Sequence, residues 1–194
     1  MKKVVRCLPV IIALLSLSCA TSTSWNIYAG NMFHGKRLLR EQEYAAARID
    51  FVKAAEAQKW PSAYAFAATA SYKMGDLANA ERYVMEAERL DGTDYSYVRT
   101  IGYKSLILLK EGKEKEGLEA LQQYAQVLRS TSSPKGARQI EIWMRQQPMD
   151  LPALEKMIDE QVYQYESDIE QWQETGTGFY QRRGNFRAGP SVVQ

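Results

Sequence analysis

The chain is 194 residues long, with 25 Lys+Arg against 23 Asp+Glu, one histidine and two cysteines. That length supports one domain with a real core, and the near-balanced charge gives no global electrostatic basis for nucleic-acid binding. A His-based metal site, a Ser/His/Asp triad or a Cys/His pair would each have to be built around His34 alone.

The chain opens on Met1-Lys2-Lys3-Val4-Val5-Arg6, followed by the apolar run Leu8 to Leu17 and then Ser16-Leu17-Ser18-Cys19. Three cations ahead of an apolar core of about ten residues match a secretory signal, and the core is too short to span a bilayer. Small residues then precede a cysteine. The arrangement resembles the lipobox of bacterial lipoproteins. That resemblance implies cleavage before Cys19, lipid attachment at Cys19, a signal peptide over residues 1–18 and a short tether over 19–24. Ala20, where Asp would retain a lipoprotein in the inner membrane, implies an outer-membrane location facing the periplasm. An ordinary secretory signal cut after Ala20, or an uncleaved anchor, are the alternatives. Residues 1–18 hold Lys2, Lys3 and Arg6 and no acid, so cleavage leaves 22 basic against 23 acidic residues. Cys7 would leave with the signal and Cys19 would carry lipid, so no intramolecular disulfide could form.

From Trp25 to Arg129 apolar residues recur at three- and four-residue spacing in a background of helix-forming residues, and no strand alternation appears. The first helix of each of three pairs is expected over Trp25–Glu41, Pro61–Met74 and Tyr95–Glu111. Pro61 suits a first helical turn, Asp94 is a plausible N-cap for the third pair, and Gly92 suits a left-handed helix end. The second helices repeat one frame. Gly75 is followed by Leu77, Ala80, Val84 and Ala87, and Gln42 by Tyr44, Ala47, Phe51 and Ala54 at the same spacing. Gly112 is followed by Glu114, Gly117, Leu121 and Tyr124, where Glu114 and Tyr124 depart from the pattern. Gly35 takes the small position of the first helix. The turn residues Gln42, Gly75 and Gly112 are 33 and 37 residues apart, close to a 34-residue period. This frame resembles the tetratricopeptide repeat (TPR) family over about residues 25–129. The resemblance implies an all-α, TPR-like α-solenoid of about three helical hairpins. A generic bundle with Ala-rich contacts is the alternative.

Beyond Arg129, the run Ser130-Thr131-Ser132-Ser133-Pro134 reads as a loop, followed by a short helix over about Lys135–Gln146 that ends near Pro148. A longer helix is expected after Asp150, with Pro152 in its first turn. Leu151, Leu154, Ile158, Val162, Tyr165, Ile169 and Trp172 form one stripe with a mean step near 3.5 residues. Such a stripe either caps the exposed end of the repeats or docks on a partner, including a second copy of the chain as a homo-dimer. The tail 176–194 is Gly-rich and holds Phe179, Tyr180, Arg182, Arg183, Phe186 and Arg187 with no acid. It is expected to be disordered, with binding to an anionic surface or a partner groove as the alternative.

There is no Gly-rich phosphate loop, no HExxH and no CxxC. Gly112-Lys113 lacks the upstream Gly of a P-loop, and Glu41 with Glu43 and Glu114 with Glu116 read as solvated helix ends. No catalytic residue, metal ligand or cofactor is assigned. The TPR resemblance implies a groove lined by the first helices, with Met32, Lys36 and Leu39 from the first pair, Thr69 and Tyr72 from the second, and Arg99, Leu106 and Leu109 from the third. Each also has a packing interpretation. Apolar anchors among a few cations suit an extended or helical peptide. Met32 stands where a carboxylate-clamping member of the family would carry Lys, which argues against that clamp. The expected function is a lipid-anchored envelope adaptor, held at the membrane by its lipid and binding an envelope protein or peptide, as in pilus, secretion or outer-membrane assembly. A non-catalytic regulator of a cell-wall enzyme and a self-assembling structural protein are the alternatives.

Overall fold

A computed structural model describes residues 8–90, 94–131, 134–145 and 149–175, with side chains over 23–90, 94–130, 136–145 and 149–175. The basic opening 1–7, Gly92, Pro148 and the tail 176–194 lie outside the described residues, as does the side chain of Cys19. The described residues are all-helical. The elements are α1 (Leu8–Arg40), α2 (Tyr44–Ala57), α3 (Pro61–Lys73), α4 (Leu77–Arg89), α5 (Tyr97–Lys110), α6 (Glu114–Thr131), α7 (Pro134–Met144) and α8 (Leu151–Thr175). None of the described helices is long and apolar enough to cross a membrane.

Turn chemistry sets the first three hairpins. Gln42, Gly75 and Gly112 all sit at positive φ, 64°, 78° and 77°. That left-handed conformation lets the chain reverse after each first helix, and glycine reaches it without a Cβ penalty. Gln42 occupies it at a cost that neither glycine incurs. Asp76 then caps α4 by accepting a hydrogen bond from the Asn79 N–H. Pro61 takes the first turn of α3, where its missing N–H costs nothing. Asp94 does not act as the N-cap expected of it. Ser96 holds that position, and Asp94 lies two residues outside, accepting from the Ser96 N–H at 2.8 Å and from its hydroxyl.

Within each hairpin the helices run antiparallel. Ser24 of α1 donates to the Ala57 carbonyl of α2, while Gly35 lies against the Phe51 ring. Successive first helices run parallel to one another. Tyr28 meets Ser62 at 2.7 Å between α1 and α3, and Arg99 meets Thr69 at 3.0 Å between α3 and α5. Small residues permit the close crossings. A Cβ on Gly35 would fall 2.7 Å from the Phe51 ring, and one on Gly117 the same distance from Leu109. Ala47, Phe51, Ala54, Ala80, Val84, Ala87, Leu121 and Tyr124 are all buried, as the repeating frame predicts. Trp25, Tyr28 and Trp60 stack at the start of the core, with ring centroids 4.8–5.4 Å apart. Phe51 and Phe66, 5.1 Å apart, join the first hairpin to the second.

α7 packs on α6. α8 does something else: it lies along the inner face formed by α1, α3 and α5. Ile158 approaches Gly102 of α5, Glu155 reaches Tyr72 of α3, and Glu170 reaches Lys36 of α1. Leu154, Ile158, Val162, Tyr165 and Ile169 are each no more than 2% exposed. Five of the seven stripe residues are therefore buried against the chain's own helices, while Leu151 and Trp172 at its ends are partly buried.

Candidate functional site

On the inner face one cation of each first helix meets a carboxylate of α8. On α1, Lys36 donates to Glu170 at 2.8 Å. Its ammonium also lies over the rings of Phe66 and Tyr95, at 5.0 and 5.4 Å. On α3, Lys73 donates to Glu155 at 2.6 Å and to Asp159. On α5, Arg99 makes a bidentate pair with Glu166 at 2.7 and 2.8 Å, donates to Thr69 at 3.0 Å and stacks over Phe66 at 4.1 Å. The Arg99–Glu166 pair is the most buried of these, with both side chains under 10% exposed.

Neutral donors complete the seam. Tyr72 donates to Glu155 at 2.9 Å and meets Tyr103 edge-on at 5.5 Å, while Tyr103 donates to Asp159. Tyr124 donates to Gln161 at 3.1 Å. The titration shifts follow from this packing. Burial disfavours the charge on Lys36 and Arg99, yet both are held more basic than usual, because Tyr95, Glu166 and Glu170 outweigh burial at Lys36 and Glu166 outweighs it at Arg99. Burial would raise Glu155, but Lys73, Tyr72 and Lys110 bring it below the usual carboxylate range. Burial foremost, and then Glu155 and Asp159, push the Tyr72 hydroxyl up.

The eight groove positions divide accordingly. Lys36, Leu39, Thr69 and Arg99 border one cleft between α8 and the inner helices. Tyr72 is buried, with its hydroxyl on α8. Met32 and Leu106 are core side chains at 5% and 1% exposure, and Leu109 packs on Gly117. Sequence reasoning missed Lys73, Tyr103 and Phe66, and missed all four carboxylates of α8. A signal for the latter was present. Residues 155, 159, 166 and 170 are spaced by 4, 7 and 4, so they share one edge of a helix beside the apolar stripe.

His34 bonds to Asp50 on the α1–α2 hairpin, away from this seam. Among the described residues, no group of three His, Cys, Asp or Glu side chains is arranged to hold a metal ion. Compared with protein-family models, with curated proteins and with solved structures, the chain matches none.

Proposed function

We propose that this chain is a tetratricopeptide-like, non-catalytic adaptor of a bacterial cell envelope, anchored by lipid at Cys19, whose inner groove is filled in cis by its own C-terminal helix. One observation carries the reading: the inner face grips an amphipathic helix through an apolar stripe flanked by ion pairs. That is the helix-in-groove mode of recognition, used here on α8. The turn residues Gln42, Gly75 and Gly112, each left-handed at the same point of a hairpin, support the repeat assignment. The ionisable groups of the seam are satisfied by one another, which favours a binding module over an enzyme.

A partner then docks on the outer surfaces of a preformed scaffold. Phe33, Ile49 and Met85 are apolar side chains more than half exposed there. The tether is short. α1 is continuous between Cys19 and the packed Trp25, about 9 Å of helix. Lipid on Cys19 would hold the repeats against the membrane surface and raise their effective concentration toward neighbours there. Two or more acyl chains give a firm anchor where one would not.

The test is photo-crosslinking in intact cells from Phe33, Ile49 and Met85, with recovery from detergent-solubilised envelope and intact mass of the mature protein. The reading expects an acyl-bearing N-terminal cysteine and a discrete protein adduct from at least one position. An unacylated chain that forms no adduct from any of the three would sink it.

A further inference from the structure

α1 enters the stack and α8 leaves it at the same end. Ser24 of α1 meets Ala57 at the end of α2, and Tyr28 meets Ser62 at the start of α3. α8 runs antiparallel to the first helices, since Asp159 is met by Tyr103 and Glu166, two turns later, by Arg99. Nine further residues carry α8 to Thr175, past the start of α5 at Tyr97. The lipid site at Cys19 and the segment 176–194 therefore join the fold on one side.

Two tryptophans stand at that end. Trp25 and Trp60 are partly buried, 5.0 Å apart, and both pack on Tyr28. Neither indole N–H donates to another group among the described residues, and neither is buried without a partner, so both reach solvent. An apolar ring with a wet polar tip is the kind of side chain that settles at a membrane–water interface. Trp25 lies six residues after Cys19 on the same helix, up to about 9 Å along its axis. The headgroup layer is itself about 5–8 Å deep on each side of a bilayer, so a tilt of α1 brings both indoles into it. Glu56 and Glu174 are exposed at this end, so attraction to an anionic surface must come from elsewhere. Arg182, Arg183 and Arg187 follow α8 by seven to twelve residues, in a segment that holds no acid.

We infer that this end of the stack is a second membrane contact, made with an anionic phospholipid bilayer. Trp25 and Trp60 seat at headgroup level, and the three arginines bind the lipid phosphates beside them. This seat rests on the proposed lipid at Cys19, and it orients the adaptor. The first helices lead away from the bilayer, and the turns at Gln42, Gly75 and Gly112 lie farthest from it.

Tryptophan quenching tests it. The acylated protein is reconstituted into phosphatidylcholine vesicles with and without phosphatidylglycerol, the lipids carrying bromine near the headgroup end of their acyl chains. Emission is expected to fall, more in the anionic vesicles than in the zwitterionic ones, and high salt should remove the excess. Trp60→Phe should lower the quenched fraction. Trp143 lies in the last turn of α7, which leads the chain to the far end where α8 starts. Trp143→Phe should therefore raise the quenched fraction by removing an unquenched emitter. Replacing Arg182, Arg183 and Arg187 by Gln, outside the described helices, should reduce quenching in anionic vesicles to the zwitterionic level. The parent's own quenching needs no substitution and decides the matter even where a variant fails to fold. Emission unchanged by bromine overturns the seat. So does equal quenching in the two kinds of vesicle, or a folded Trp60→Phe variant quenched as fully as the parent. Intact mass separates the two failures: a chain without acyl groups removes the lipid anchor and this seat together, whereas an acylated chain whose tryptophans escape quenching overturns the seat alone.

Discussion

Arg99 lies under α8 with its guanidinium over Phe66 and both oxygens of Glu166 within 2.8 Å. Two opposing effects meet there. Taking both charges out of water is costly, and the bidentate contact offsets that cost only while both partners remain. Glu166→Ala should therefore lower stability by about 3–5 kcal/mol, since it strands a buried guanidinium. The double change Arg99→Met with Glu166→Leu should recover most of that loss, because it removes the desolvated charges together. Urea denaturation of the parent, both single variants and the double variant checks this, and a double variant as unstable as the singles contradicts it. Glu155 responds to pH with a definite sign. Its carboxyl is held below the ordinary value of 4.5, so its contribution is complete above that value and is lost as pH falls through the lower folded value. Stability measured from pH 6 down to pH 3 should decline more steeply in the parent than in Glu155→Gln, which has no carboxyl there to protonate. Equal slopes would show that Lys73 and Tyr72 do not hold it.

α8 raises a question of magnitude: is it a lid or part of the core? Its ion pairs to Lys36 and Lys73 are partly solvated, and such pairs contribute about 0–1 kcal/mol each. Its five buried apolar side chains contribute about 1.5–3 kcal/mol each, about 7.5–15 in total when counted against a fully extended chain. The stripe therefore fastens the helix, and the charges fix its register. Hydrogen exchange gives the corresponding prediction. Amides from Ile158 to Ile169 should be protected as strongly as those of α5, whereas a displaceable lid would exchange orders of magnitude faster. The sequence made this stripe readable but not its seat. A single helix's periodicity says which side chains are buried and nothing of what covers them. The same limit applies to Tyr72 and Arg99. Their helical positions placed them on the inner face, but whether that face was empty depended on carboxylates 83 and 67 residues away. The hairpins were more legible, because a left-handed turn, a small residue at a close crossing and a large one in the groove are local requirements that Gly75, Ala80 and Val84 each satisfy. Asp94 misled because an acidic residue two positions ahead of the cap serves the same turn.

At the scale of the molecule, what matters is which surfaces remain for others once α8 is seated. Residues 151–175 carry seven acids and one lysine, a net charge of −6. Docking that helix on Lys36, Lys73 and Arg99 neutralises the cationic side of the inner face and buries the stripe that could otherwise have joined two copies. Leu154, Ile158, Val162, Tyr165 and Ile169 have no apolar area left to offer a second chain, and a stable dimer needs about 800 Å² from each partner. What stays outward on α8 includes Glu160, Gln164 and Glu174, a polar face whose carboxylates repel those of a copy of itself. The protein without its lipid should therefore sediment as a monomer whose mass does not change across a hundredfold range of concentration at low salt. A dimer that persists would require α8 to leave its seat or the outer apolar residues to pair. Ile158→Glu separates the two: it would abolish a dimer built on the stripe, and it would leave one built on Phe33 and Ile49 in place provided the repeats remain folded by circular dichroism.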